Sequence, residues 1–154
     1  MANTDNQCFN LPVEVLSSPD WDKVFNMQLS LQKRIMGDDF DSQSNTLANV
    51  ADFFLKNKHA LEDELSETID AIGGIHDGIG SAAWKWWKKD NAEAEVRTLH
   101  SLSDRDRLEL AMEITDQLHF LINEYVKLGI TGSQAFSLYM AKNKENFDRQ
   151  DRGY

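Results

Sequence analysis

The stretch Glu109-Leu-Ala-Met-Glu-Ile-Thr-Asp-Gln-Leu-His-Phe120 decides how this chain is read. Around it, apolar residues recur at Leu108, Met112, Leu118, Ile122 and Val126, and again at Leu110, Ile114, Leu121, Tyr125 and Leu128. Such spacing predicts a helix that is apolar on most of its sides and therefore buried. Glu113 and Asp116 interrupt the apolar surface and share one face. Removing a carboxylate from water is costly unless a cation or a hydrogen-bond donor meets it. A second acidic pair, Glu64 and Glu67, has the same spacing in another apolar segment, Glu62-Asp-Glu-Leu-Ser-Glu-Thr-Ile-Asp-Ala-Ile72. Facing each other, the two pairs would form an oxygen-rich cage suited to Mg²⁺, with Mn²⁺ as an alternative.

The remaining chain reads as helices joined by polar breaks. Residues 1–20 lack periodicity and contain Pro12, so they are expected to form an N-terminal arm; residues 21–154 are expected to form one all-α domain. Ser17-Ser-Pro-Asp-Trp21 reads as a helix start. The helix 21–36 follows, with Val24, Met27, Leu31 and Ile35 as its apolar face. A second helix is expected from about Ser44–Thr46 to Ile72, stopped by Gly73-Gly74. Trp84-Lys-Trp-Trp-Lys88 is short, aromatic and basic. Ser103 and Asp106 resemble a capping box that opens the helix ending at Gly129. Thr131 or Ser133 then caps a last helix to about Asn146, followed by a charged tail.

Composition excludes several classes. The net charge is −10, and no Lys/Arg stripe runs through the chain, which argues against a nucleic-acid duplex as partner. A small anionic substrate is compatible with this charge when metal ions screen the acids. A single cysteine, Cys8, precludes an intrachain disulfide framework and fits a reducing cytoplasm. No apolar run is long enough to span a membrane, and the N-terminus has no signal-peptide pattern, so a cytoplasmic location is expected.

Each chemical candidate has a plain alternative. A lone Glu-x-x-Glu is usually a solvated helix face; two such pairs inside apolar helices weaken that explanation. A di-iron carboxylate bundle would want Glu-x-x-His from each of two helices. Here there is only Asp116-x-x-His119, and His59 is misplaced relative to Glu64. Lys142, Asn143, Asn146 and Arg149 near the C-terminus suit phosphate contacts, Lys as a point charge and Arg as a fork, although cations there also complement a helix dipole. Lys85 and Lys88 can reach anions. Gln32, on the first helix, can read a base edge or simply face solvent.

These residues together resemble the all-α nucleoside triphosphate pyrophosphatases, the superfamily of the dimeric dUTPases and MazG-type enzymes. The resemblance is carried by Glu64-x-x-Glu67, by Glu113-x-x-Asp116-x-x-His-Phe120, by Trp84-Lys-Trp-Trp-Lys88 and by Met27-Gln-x-x-Leu-Gln32. The tail Lys142-Asn-x-x-Asn146-x-x-Arg149-Gln150-x-x-Gly153-Tyr154 completes it. It covers roughly residues 21–154. It implies an all-α bundle of MazG-like architecture, a homodimer, and Mg²⁺ held by Glu64, Glu67, Glu113 and Asp116, with Glu64 as the base. It also implies phosphate or sugar contacts from Lys85, Lys88, Lys142, Asn143, Asn146 and Arg149, and base contacts from Gln32 and Phe53.

Two positions depart from the dimeric dUTPase pattern. Arg34-Ile-Met36 stands where those enzymes carry an Asn after the helix-one Gln, and Phe53 stands where they tend to have Trp. Both are tied to uracil selection in that family, so the departures favour an enzyme that also accepts cytosine. The expected activity is hydrolysis of dCTP and dUTP, and of dCDP and dUDP, to the monophosphates. A MazG-like enzyme of other specificity and a non-enzymatic helical dimerisation module are the alternatives.

Overall fold

The computed structural model describes residues 20–72, 86, 87, 92 and 96–153. Among these residues the fold is all-α, as expected, with four α-helices, one 3₁₀ turn and no strand: α1 (Trp21–Met36), α2 (Leu47–Ile72), the 3₁₀ turn Leu99–Ser101, α3 (Asp104–Lys127) and α4 (Gly132–Asp151). The expected arm, the Gly73-Gly74 stop, and Lys85 and Lys88 lie outside the described residues. The chain divides into two compact units, one within residues 58–118, the other formed by residues 20–57 and 119–153. The divisions fall inside α2 and α3, so both helices contribute to each unit.

Local chemistry accounts for the helix ends. The Asp20 carboxylate accepts the Lys23 N–H at 3.0 Å and caps α1, satisfying one of the amides that a helix start leaves open. Gly37, at φ +109°, ends α1 in a conformation that L side chains rarely adopt, while its N–H donates to the Lys33 carbonyl. The hydroxyl of Thr46 accepts the Asn49 N–H at 3.2 Å at the start of α2. Before α3, the Ser103 hydroxyl accepts the Asp106 N–H at 3.1 Å and donates to the Asp106 carboxylate at 2.6 Å, the expected cap. Thr131 and Gln134 form a full capping box at α4.

The loop between α1 and α2, expected only as a polar break, is tightly organised. The Asn45 side chain donates to the carbonyls of Asp39, Phe40 and Ser42 at 2.9–3.1 Å. Lys33 pairs with Asp41 at 2.8 Å. Phe40 thereby enters the core made by Phe25, Ile122, Val126 and Ala135, with Leu29, Phe53 and Ile130 packed against it. A smaller core in the other unit joins Ala71, Leu102 and Leu110.

Three expectations are corrected here. The apolar face of α1 is not the buried one: Val24, Met27, Leu31 and Ile35 are exposed, whereas Phe25 and Gln28 are buried. Helix α3 is not buried all round. Leu110, Ile122 and Val126 are covered, while Met112, Ile114, Leu118, Leu121 and Tyr125 are open to solvent, because a single chain of this size covers one face of so apolar a helix. Helix α4 does not stop near Asn146 but runs to Asp151. Its last turns carry ion pairs at helical spacing, Lys144–Asp148 at 2.7 Å and Glu145–Arg149 at 3.0 Å, which favour continued helix.

Candidate functional site

The acids of α2 and α3 that belong to one unit lie together. Glu64, Glu67 and Glu113 each offer a carboxylate oxygen, and these oxygens lie within 4.8 Å of one another. Glu64 and Glu113 are half-buried and Glu67 is exposed. Helical spacing puts Glu64 and Glu67 on one face of α2, and the segment around Gln117 ties α3 to them. Gln117 Nε2 donates to the hydroxyl of Thr68 at 2.6 Å, and each of these residues immediately follows an acid, Asp116 and Glu67 respectively. Asp116 is half-buried and lies near enough to act on Glu113 by its charge, but is not among the three whose oxygens converge.

The electrostatics of Glu113 set it apart. Partial burial pushes its carboxyl above the usual 4.5, and the negative charges of Glu67, Glu109, Asp116 and Glu64 push it further in the same direction. Glu62, on the same α2 helix, is shifted the opposite way: hydrogen bonding to Lys58 lowers it, and His59 adds to the effect. Asp52, Glu62, Glu145 and Asp148 each pair with a cation at the i±4 position. At Glu113 the neighbours are carboxylates, so a divalent cation is the chemical complement. Three or four carboxylates with no nitrogen or sulfur donor suit a hard ion such as Mg²⁺ or Mn²⁺.

The other expected residues lie in the second unit. Asn143, Asn146 and Arg149 line one open cleft of about 330 Å³ on α4, together with Phe147 and Gln150. Arg149 also donates to Glu145. Lys142 is exposed and is not part of that lining. Phe53 is half-buried. It meets Phe40 edge-to-face at 5.2 Å and Phe54 at 6.1 Å, and lines a cleft of about 250 Å³ that also contains Lys127, Asn45, Asn49 and Asp52. Gln32 is half-buried on α1.

Two polar contacts were not anticipated. Gln28 and Asn123 are both buried and share a hydrogen bond of 2.7 Å, Gln28 Nε2 donating to Asn123 Oδ1. Asn57, also buried, donates to the Phe120 carbonyl and to the Glu124 carboxylate, each at 3.0 Å. Gln28 belongs to the Met27-Gln-x-x-Leu-Gln32 motif, but nothing in that motif marks it as buried or as the partner of Asn123. Nothing in the spacing of α3 marks Asn123 as different from a surface Asn. Glu109, four residues before Glu113, was visible in the sequence, but its action on that carboxyl depends on the fold.

No family model matches the chain, and no solved structure matches it. Curated relatives do. The dCTP pyrophosphatase of Enterobacteria phage LZ5 is 36% identical over 138 residues, spanning 85% of this chain and 80% of that protein. The dCTP pyrophosphatase of Enterobacteria phage T4 is 37% identical over 111 residues, spanning 71% of this chain and 65% of the relative. A phage T4 protein named DNA replication protein is 34% identical over 101 residues, which is 26% of its own length. Being 36% identical to the phage LZ5 enzyme over 85% of its own length and 80% of that protein's, this chain belongs to the dCTP pyrophosphatase family of T4-like phages.

Proposed function

We propose that the chain hydrolyses dCTP and dUTP, and their diphosphates, to dCMP and dUMP in the infected host's cytoplasm, releasing pyrophosphate from the triphosphates. The observation that carries this is the convergence of Glu64, Glu67 and Glu113 from two helices. The names of the phage LZ5 and T4 relatives support dCTP as a substrate. The raised Glu113 carboxyl supports a cation as the missing partner.

Glu64, Glu67, Glu113 and Asp116 would hold Mg²⁺. When bound, this ion screens the polyphosphate and acidifies water enough for attack near neutral pH. Glu64 takes the proton from the attacking water. Arg149, Lys142, Lys85 and Lys88 bind phosphate oxygens, and Asn143 and Asn146 hold the sugar or a phosphate. Gln32 reads the base edge and Phe53 stacks on the ring. The exposed stripe Trp21, Val24, Met27, Leu31 and Ile35 supports a homodimer, because isolated soluble chains rarely leave so continuous an apolar row uncovered.

The test is incubation with each canonical deoxynucleoside triphosphate and with dUTP, with and without Mg²⁺, and chromatographic separation of the products. Monophosphate from dCTP and dUTP alone is expected. Turnover of other nucleotides instead would favour a MazG-like specificity, and no turnover of any would leave a dimerisation module. Light scattering on the eluting species reads the oligomeric state.

A further inference from the structure

Within the unit that holds the acids, α2 and α3 are joined by a hydrogen bond between two neutral side chains, Gln117 Nε2 donating to Thr68 Oγ1 at 2.6 Å. Thr68 is 7% exposed and Gln117 is half-buried. Thr68 follows Glu67 and lies one turn beyond Glu64 on α2. Gln117 follows Asp116 and lies one turn beyond Glu113 on α3. The bond therefore ties together the same two helix faces that carry the acids.

What this bond must resist stands on those faces. Glu113 feels the negative charges of Glu67, Glu109, Asp116 and Glu64. The oxygens of Glu64, Glu67 and Glu113 come within 4.8 Å of one another. Like charges this close repel, and without an ion the repulsion pushes the two helices apart. A lysine could hold an acid in place, as Lys58 holds Glu62. At the cage, however, an ammonium would cancel the charge and stand where a cation belongs. An amide and a hydroxyl do neither, because they carry no charge and compete for no cation. Their bond is short and directional, so it fixes a separation as well as closeness. Mg²⁺ demands that, since it takes oxygen ligands only near about 2.0–2.1 Å and in octahedral array. Polar groups just behind a metal's ligands commonly govern affinity by holding those ligands still.

We propose that Thr68 and Gln117 are positioning residues, whose hydrogen bond holds the acid-bearing faces of α2 and α3 at the separation a divalent ion requires and so sets the chain's cation affinity. This rests on the reading of Glu64, Glu67, Glu113 and Asp116 as the metal ligands. In this role neither residue touches the ion or the nucleotide. Losing the bond should raise the ion concentration the chain needs and leave the chemistry at saturation in place.

Mn²⁺ binding to the nucleotide-free chain, read by electron paramagnetic resonance, tests this without turnover. Thr68→Val keeps the shape and removes the hydroxyl, and Gln117→Met keeps the length and removes the amide. Each should weaken Mn²⁺ binding at least about tenfold. The double variant should be no weaker than either single one, because all three lack the same bond. Thr68→Ser, which keeps the hydroxyl, should bind within about twofold of wild type. In dCTP hydrolysis the Mg²⁺ concentration giving half-maximal rate should rise in Thr68→Val and Gln117→Met, with kcat at saturating Mg²⁺ within about threefold of wild type.

Asn57 supplies the control for a merely structural fastener. It joins α2 to α3 in the other unit, through the Phe120 carbonyl and the Glu124 carboxylate, each at 3.0 Å. Asn57→Leu should lower the urea midpoint and leave Mn²⁺ affinity near wild type. If Thr68→Val does not fold, Gln117→Met, at a half-buried position, decides alone. Folded Thr68→Val and Gln117→Met chains that bind Mn²⁺ within about twofold of wild type overturn the proposal. So does a Thr68→Ser chain as weak as Thr68→Val, or an Asn57→Leu chain that loses as much Mn²⁺ affinity. A wild-type chain that binds no Mn²⁺ overturns the metal reading itself.

Discussion

The two halves of α3 treat polar side chains in opposite ways. Over its last residues, 123–127, buried and half-buried polar groups meet complementary ones. Asn123 meets Gln28, Glu124 meets Asn57, and the Lys127 ammonium donates to the Phe40 carbonyl at 2.7 Å while lying over the rings of Phe40 and Phe53 at 4.7 and 5.6 Å. In the N-terminal half, Glu113 is surrounded by the like charges of Glu67, Glu109, Asp116 and Glu64. One helix thus shows polar groups used as internal fasteners and polar groups gathered at a cost to the apo fold. The second arrangement makes physical sense when a cation completes it. Electrostatic mismatch, rather than the mere presence of a carboxylate, sets Glu113 apart, since Glu62 carries the same group and has its complement, Lys58, at hand.

The largest effect should come from breaking the mismatched half. Glu113→Gln preserves shape, removes a charge, and should reduce dCTP turnover by more than about 100-fold, beyond the loss typical of a merely supporting group. Circular dichroism and chain size should be unchanged. Turnover near the wild-type level would remove Glu113 from the site. Next, Mg²⁺ at about 100 times its dissociation constant should stabilise the wild-type chain by about 2.7 kcal/mol and shift its thermal midpoint upward. Glu113→Gln should show little of that shift, and an equal shift in both would place the ion elsewhere.

Breaking the satisfied half should cost stability rather than turnover chemistry. Lys127→Met leaves the Phe40 carbonyl without its donor and removes the cation from two aromatic faces, a loss of about 1–3 kcal/mol in urea denaturation. A smaller effect should appear in the pH dependence without divalent ions. The folded chain holds the Glu113 proton to a higher pH than the unfolded chain does, so it binds more protons as pH rises past 4.5. Wild-type stability should therefore fall, relative to Glu113→Gln, from about pH 4.5 upward through the raised Glu113 value. Parallel thermal midpoints for the two proteins across that range would contradict the assigned crowding of charge.

Sequence alone was sufficient for the helical class, for both boundaries of α1 and for the cap at Ser103, and it narrowed the cap of α4 to Thr131 or Ser133, because periodicity and capping are local properties of the chain. It also singled out the paired acids, since Glu-x-x-Glu within apolar helices is a conflict visible without coordinates. Only the tertiary structure decided which face of α1 is covered. The apolar stripe on Val24 and Leu31 looked like the core, yet Phe25 packs there instead, because burial depends on which neighbour arrives and not on hydropathy alone. It alone separated Glu113 from Glu62, and it alone joined Gln28 to Asn123 across 95 residues. Contacts between side chains so distant in sequence leave no periodic trace in either segment. Their chemistry exists only once the backbone has brought the two groups within hydrogen-bonding reach.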